Sequence, residues 1–284
     1  MVVINKNNFE NFFSNRMFDF FTTLQFNELT EAQEMLIPVV RSGKSAMLIS
    51  PTGSGKTEAA IFPIFDYILN NETKPITSLF ITPLRALNRD MLLRLKNYGK
   101  KMGISVQVRH SDISERERRE IRDNPADILI TTPESVQILL NSKKIREYLK
   151  NLKFVIVDEL HELAQNERGT QLSISLERLA ELSPNFQRIG LSATVGNPEE
   201  LARFLYNTGE VEILKTSMIK TMEFQITIPE KAPDEIASKM GCEPEYAGAV
   251  KRIKELIDSH QGTLVFVNTR SVAEDIAFRM SLYY

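Results

Sequence analysis

Ala46-Met47-Leu48-Ile49-Ser50-Pro51-Thr52-Gly53-Ser54-Gly55-Lys56-Thr57 is the stretch on which the fold turns. An apolar run, a short loop with two glycines, a Lys-Thr pair and a helical pattern over 57–70 make the strand, loop and helix of a phosphate-binding P-loop. Gly53 and Gly55 let backbone N–H groups turn inward around phosphate oxygens, and the helix opening near Lys56 adds the positive end of its dipole. Thr52, Gly53, Ser54, Gly55, Lys56 and Thr57 are therefore the candidate residues for a nucleoside triphosphate; Lys56 would reach the β- and γ-phosphates and Thr57 would hold Mg2+. The full pattern G-x-x-x-x-G-K-[ST] expects glycine first, and this chain has Ser50 there. A merely flexible Gly-Ser-Gly turn is the competing reading, against which stand the preceding strand and the Lys-Thr pair.

Such a site needs a second element, and Phe154-Val155-Ile156-Val157 runs straight into Asp158-Glu159-Leu160-His161. Four consecutive apolar residues read as a strand buried on both faces. A carboxylate pair at its carboxyl end sits where open parallel sheets bind ligands. Asp158 is placed to hold the metal, directly or through water, and Glu159 to act as general base on the attacking water. Helix capping is the plainer alternative for the two acids.

P-loop plus Asp-Glu-x-His, with Ser192-Ala193-Thr194 after the strand-like Arg188-Ile189-Gly190-Leu191, resembles the superfamily 2 nucleic-acid helicases of the DExH type. Thr82-Pro83-Leu84-Arg85-Ala86-Leu87 is similar to their motif Ia, Thr131-Thr132-Pro133-Glu134 to motif Ib, and Leu264 to Arg270 to the strand of motif IV. Val108 to Asp112, Glu167 to Leu172 and Gly190 to Pro198 look most like the Lhr (large helicase-related) family, although Ser111 stands where that family usually has glycine. The resemblance implies an α/β fold: a RecA-like P-loop domain, a parallel sheet covered by helices on both faces, followed by the start of a second RecA-like domain. It implies ATP and Mg2+ as cofactors, single-stranded DNA or RNA as partner, and coupling of hydrolysis to domain closure through His161, Ser192 and Thr194. Arg85 and Thr132 are the implied nucleic-acid contacts. Leu29-Thr30-Glu31-Ala32-Gln33 is similar to the adenine-reading Q motif, in which Gln33 would pair with the base edge, while a plain helix N-terminus over Thr30 to Glu34 with Thr30 as cap is the competing reading. Phe12, Phe13 or Phe26 would supply a stacking surface, the spacing leaving that choice open, and core packing is the plainer fate of each.

Composition fits without deciding. The 284 residues exceed a usual single domain, and 42% hydrophobic with 25% charged residues is ordinary for a globular chain. A net charge of −2 gives no overall attraction to nucleic acid, yet Arg85 to Arg122 holds eleven Arg or Lys against five acidic residues. Within it, Glu115 to Glu120 reads as a solvated helix face. One cysteine, Cys242, excludes an intrachain disulfide, and His110, His161 and His260 lack metal-ligand spacing. Neither a membrane span nor a secretory signal is visible, so a cytoplasmic protein with no membrane partner is expected.

Strands are predicted at 45–50, 77–82, 104–108, 127–131, 153–157, 187–192 and 211–215, with helices between them such as 57–70, 85–101 and 170–181. Domain 1 is expected over residues 1–212 and an incomplete domain 2 over 213–284, with strands at 222–228 and 264–267 and helices near 245–259 and from Ser271. The apolar, uncapped run Phe278 to Tyr284 suggests a helix cut off and a fragment of a longer protein. By resemblance, motifs V and VI and their γ-phosphate arginines would lie in the missing C-terminal helicase domains, leaving this piece with weak turnover or none. A helicase or translocase motor core is the leading expectation; a nucleotide-gated clamp or remodelling scaffold, which shares every motif here, is the alternative.

Overall fold

The structure, a computed structural model, describes residues 2–3, 12–83, 88–164, 167–193, 195–217 and 223–283. The chain forms two compact units, residues 1–219 and 220–284.

The first unit begins with β1 (Val2–Val3), α1 (Asn15–Thr23), β2 (Glu28–Leu29), which pairs antiparallel with β1, and α2 (Glu31–Arg41). The main alternation follows: β3 (Ala46–Ile49), α3 (Lys56–Asn70), β4 (Ser78–Ile81), α4 (Asn88–Met102), β5 (Val106–Arg109), α5 (Glu115–Asp123) and β6 (Ile128–Thr131). Then come α6 (Pro133–Asn141), α7 (Lys143–Leu149), β7 (Phe154–Val157), α8 (Leu160–Ala164), α9 (Glu167–Leu182), β8 (Gln187–Ser192), α10 (Pro198–Leu205) and β9 (Glu212–Lys215). Strands β3 to β9 form one parallel sheet in the order β5-β6-β4-β7-β8-β3-β9.

Apolar side chains on both faces of the sheet explain its three layers. In β3, Ala46 and Leu48 enter one core with α1, α2 and α3, while Met47 and Ile49 enter a second core with α6 to α10. The same alternation sends Ile156 to the first core and Val155 and Val157 to the second. Each fully buried aliphatic side chain contributes roughly 1.5–3 kcal/mol, so strands with four buried residues in a row cannot sit at a solvated face. Local chemistry sets the helix starts. Thr30 and Gln33 form a capping box on α2, Ser114 and Glu117 another on α5, and Asn197 caps α10 ahead of Pro198.

All seven strands expected of the first domain are present. β9 pairs with β3 in register Ile49↔Lys215, so the expected boundary at 212/213 falls inside a strand of the first sheet. In the second unit, α11 (Asp234–Met240), α12 (Pro244–Ser259) and α13 (Arg270–Tyr283) pack around Ala232, Ala237, Met240, Ala247 and Val250. The helices expected near 245–259 and from Ser271 are there; the two strands are not. Residues 223–228 and 264–267 carry no ladder, and Ile226 and Phe266 are 99% and 88% exposed. A β-propensity pattern becomes a strand only beside another that takes its N–H and C=O groups, and among the described residues neither segment has one. No helix among the described residues is long and apolar enough to cross a membrane.

Candidate active site

The carboxyl ends of β3, β7 and β8 are neighbours in the sheet, and the candidate residues gather there. After β3 the chain passes through Ser50 into the loop, where Gly53 (φ +79°) and Gly55 (φ +84°) take the left-handed conformation that glycine adopts without strain. Gly55 is the N-cap of α3 and offers no side chain to the leading N–H groups of that helix. Lys56 is buried, with Nζ donating to the carbonyls of Ser50 at 2.7 Å and Pro51 at 3.2 Å. The Ser54 hydroxyl is buried with no partner among the described residues. Uncapped helix N–H groups, two left-handed glycines, an ammonium group and an orphaned hydroxyl together suit an anion with several oxygens.

Ser50 occupies the position where the full pattern has glycine, and the structure shows why its side chain fits. Its Oγ accepts from Thr216 Oγ1 at 3.0 Å, just beyond β9, and its N–H donates to the Ser192 carbonyl at 3.0 Å.

At the end of β7, Asp158 donates its N–H to the Ile81 carbonyl at 2.8 Å, and its Oδ1 accepts the Glu159 N–H at 3.0 Å. Burial, then the adjacent Glu159 carboxylate, push the Asp158 carboxyl up to about 6, against the opposing pulls of that N–H and of Lys56. A recessed carboxylate within reach of the Lys56 charge suits Mg2+, which takes one or two carboxylates and completes its shell with water and phosphate oxygens. Accordingly no cluster of three or more His, Cys, Asp or Glu is required, and none occurs among the described residues.

Glu159 has φ +47°, a left-handed conformation that costs a residue with a Cβ roughly 1–2 kcal/mol. Such strain marks positions where the surroundings over-determine the backbone. His161, on α8, lies with Nδ1 3.6 Å from Glu159 Oε2. The same Nδ1 stands 3.2 Å from Ser192 Oγ and accepts the Ala193 N–H at 3.4 Å. His161 thus ties the end of β7 to the end of β8 beside the carboxylates.

Several expected positions differ. Gln33 is 1% exposed; its Oε1 accepts the Thr30 N–H at 3.0 Å and its Nε2 lies against Gly55. Thr30 Oγ1 donates to the Ser54 carbonyl at 2.8 Å. Gln33 thus braces the P-loop, its carbonyl in the capping box of α2 and its amide beside Gly55. Phe13 is buried among Phe21 and Phe62, which removes it as a stacking surface, whereas Phe12 and Phe26 keep some exposure. Thr132 starts α6, buried, with Oγ1 donating to Ser135 Oγ at 3.2 Å; its strand lies two places from β7, away from the carboxylates. Arg85 and Thr194 lie outside the described residues. Sequence reasoning missed Thr216 and the strain at Glu159, which carry no local signal, whereas the reading of Thr30 as a helix cap matches the structure. A surface cavity of about 780 Å³ opens at the amino ends of β3, β8 and β9, lined by Lys44, Gln187 and Glu212, at the opposite end of the sheet from these groups.

Comparison with known proteins gives a concordant picture. The family model "DEAD/DEAH box helicase" matches residues 30–201. The ATP-dependent helicase Lhr-Core of Sulfolobus acidocaldarius is 40% identical over 272 residues, covering 90% of this chain and 31% of that protein. The structure of Mycobacterium smegmatis helicase Lhr bound to ssDNA and AMP-PNP superposes with a TM-score of 0.77 at 35% identity, covering 94% of this chain and 35% of that one. DEAD-box helicase Mss116 bound to ssRNA and UDP-BeF, at 19% identity and a TM-score of 0.71, shares the fold, covering 91% of this chain and 53% of its own. The sheet is that of a RecA-like helicase domain, and the chain spans about a third of the length of its Lhr relatives.

Proposed function

Since the chain belongs to the DEAD/DEAH box helicase family, we propose that it is the ATP-binding and ATP-hydrolysing part of a motor that moves along single-stranded DNA or RNA, acting within a longer protein. The observation that carries this reading is the convergence of Lys56, Asp158, Glu159, His161 and Ser192 at the carboxyl ends of three adjacent strands.

The loop amides of residues 52–57 and the Lys56 ammonium bind the triphosphate, and Thr57 and Asp158 hold Mg2+ with it. When bound, the ion neutralises phosphate charge. Glu159 accepts a proton at its carboxylate from the attacking water, held in place by its strained backbone and by His161. His161 keeps Ser192 and the Ala193 N–H oriented toward this loop, so a change at the phosphate end alters the β8 segment. Gln33 and Thr30 support the loop, and Thr132 with the segment after β4, which includes Arg85, forms the strand-binding side. Residues 220–284, the second unit, belong functionally to a second RecA-like domain of the longer protein, whose arginines act on the γ-phosphate.

Steady-state ATP hydrolysis, with and without single-stranded DNA or RNA, tests the reading. Glu159→Gln should abolish turnover in the full-length protein and leave ATP affinity within about twofold. Persisting hydrolysis would remove Glu159 as the base. Nucleic-acid-dependent ATP binding without strand separation by the full-length protein would favour a clamp.

A further inference from the structure

Two arginines at the edge of the sheet are used by nothing described above. Arg109 is the last residue of β5, the edge strand, in register with Thr131, whose hydroxyl donates to the Arg109 carbonyl at 2.9 Å. Val106 and Val108 pack toward the first core, so strand alternation sends Arg109 to the opposite face, toward α5. On that helix Arg118 lies close enough for its charge to act on Arg109, with its Nη1 on Glu115 Oε1 at 2.8 Å and its Nη2 on the Ser111 carbonyl at 2.6 Å. The Nε–H groups of both arginines are buried without an acceptor, and the Arg109 guanidinium makes no hydrogen bond or ion pair among the described residues. Burial and the Arg118 charge together depress the Arg109 pKa.

A guanidinium does not shed its proton in a protein, so two facing cations with unused donors are a standing electrostatic cost. The nearby carboxylates relieve it only in part, the Glu115 charge acting on Arg109 as well. Glu115 serves Arg118, Glu117 closes the Ser114 capping box, and Asp112 accepts from the Ser111 hydroxyl at 2.7 Å. Both residues are partly exposed, so a ligand from solvent reaches the pair at atoms other than the buried Nε–H groups.

We propose that Arg109 and Arg118 form a phosphodiester site for the nucleic-acid backbone, extending the strand-binding side past Thr132 to the edge of the sheet. The planar fork of a guanidinium matches two oxygens of a phosphate. Thr132, next in sequence to the residue paired with Arg109, sits at the same end of the sheet. A cationic excess surrounds the pair in sequence from Arg85 to Arg122. The site rests on the reading that this unit binds a single strand; it adds two residues and a direction to that reading.

The experiment is a salt titration of binding to a dye-labelled oligothymidylate and a dye-labelled oligouridylate by the 284-residue chain, as wild type, Arg109→Gln, Arg118→Gln and Arg109→Lys. Each neutral variant should bind about tenfold more weakly at low salt, and its slope of log affinity on log salt should be shallower by about 0.7. Arg109→Lys should restore most of the slope. Thermal melting and ATP affinity, which depend on other residues, confirm that the variants fold. Wild-type affinity and slope in both neutral variants would overturn the site while leaving strand binding elsewhere intact. No binding by wild type at any salt would instead refute the strand-binding reading and the site with it. If sulfate raises the Tm of wild type but not of the variants while oligonucleotide affinity is unchanged, the pair is a free-anion site and the proposal fails.

Discussion

Gly55→Ala and Gly53→Ala change the same loop by the same methyl group, yet their surroundings differ. Both glycines are left-handed, at φ +84° and +79°, so each substitution carries a backbone cost of roughly 1–2 kcal/mol. At Gly53 a Cβ meets nothing within 4 Å. At Gly55 it would lie 2.7 Å from Gln33 Nε2 and 3.2 Å from Thr30 Oγ1. A glutamine amide usually swings aside cheaply. Here its Oε1 is held by the Thr30 N–H, so movement opens the capping box of α2 and costs a further 0.5–2 kcal/mol or so. Gly55→Ala should therefore destabilise the first unit by about 2–4 kcal/mol and Gly53→Ala by about 1–2 kcal/mol, read from urea midpoints at equal m. Combined with Gly55→Ala, Gln33→Ala should cost about 1 kcal/mol less than it does alone, because the clash partner has gone. Equal destabilisation by the two alanines, with a strictly additive double variant, would refute the idea that Gln33 is locked beneath the loop.

In the protein free of nucleotide and metal, Asp158→Asn should be stabilising above pH 6 by an amount on the order of 3 kcal/mol and neutral below pH 4. The folded-state pKa of about 6 exceeds the unfolded value of 3.8, so the native state binds more protons between the two and wild-type stability falls as pH rises through that window. Urea titrations across the window check the convergence of the two proteins. Glu159→Asn should lose turnover in the full-length protein while gaining up to about 1 kcal/mol of stability, since asparagine tolerates the left-handed backbone at φ +47°; a clear loss of stability would contradict the assigned strain. Arg188, 3% exposed, donates to Glu177 Oε1 at 2.8 Å and the Leu205 carbonyl at 2.9 Å and lies over the Tyr206 ring at 4.1 Å. Arg188→Lys cannot reproduce both the fork and the stack and should cost about 2–3 kcal/mol in chemical denaturation without changing ATP affinity.

Much of this was legible in the residues. Runs such as Met47-Leu48-Ile49 and Val155-Ile156-Val157 are apolar at every position, which only a strand buried on both faces tolerates. Phosphate chemistry was legible for a related reason: the groups of the P-loop are contiguous, so their spacing is their geometry. At Gln33 two local patterns, a base reader and a capping box, share the same residues, and the tertiary structure shows the capping box formed, with the amide against Gly55. The strands anticipated at 222–228 and 264–267 failed because pairing is non-local: propensity describes a residue's fitness for a sheet, not the presence of a neighbour.

Sequence by itself determined the parallel α/β sheet, the P-loop and the Asp-Glu-x-His segment, since each depends on the order of adjacent residues. Tertiary structure alone decided what brings distant segments together. It seated β9 beside β3, joined Ser50 to Thr216, pinned His161 on Ser192 and Ala193, and brought the Arg118 charge to bear on Arg109. These are contacts between residues far apart in the chain or on different elements, fixed by the order of strands in the sheet, and no local pattern records that order.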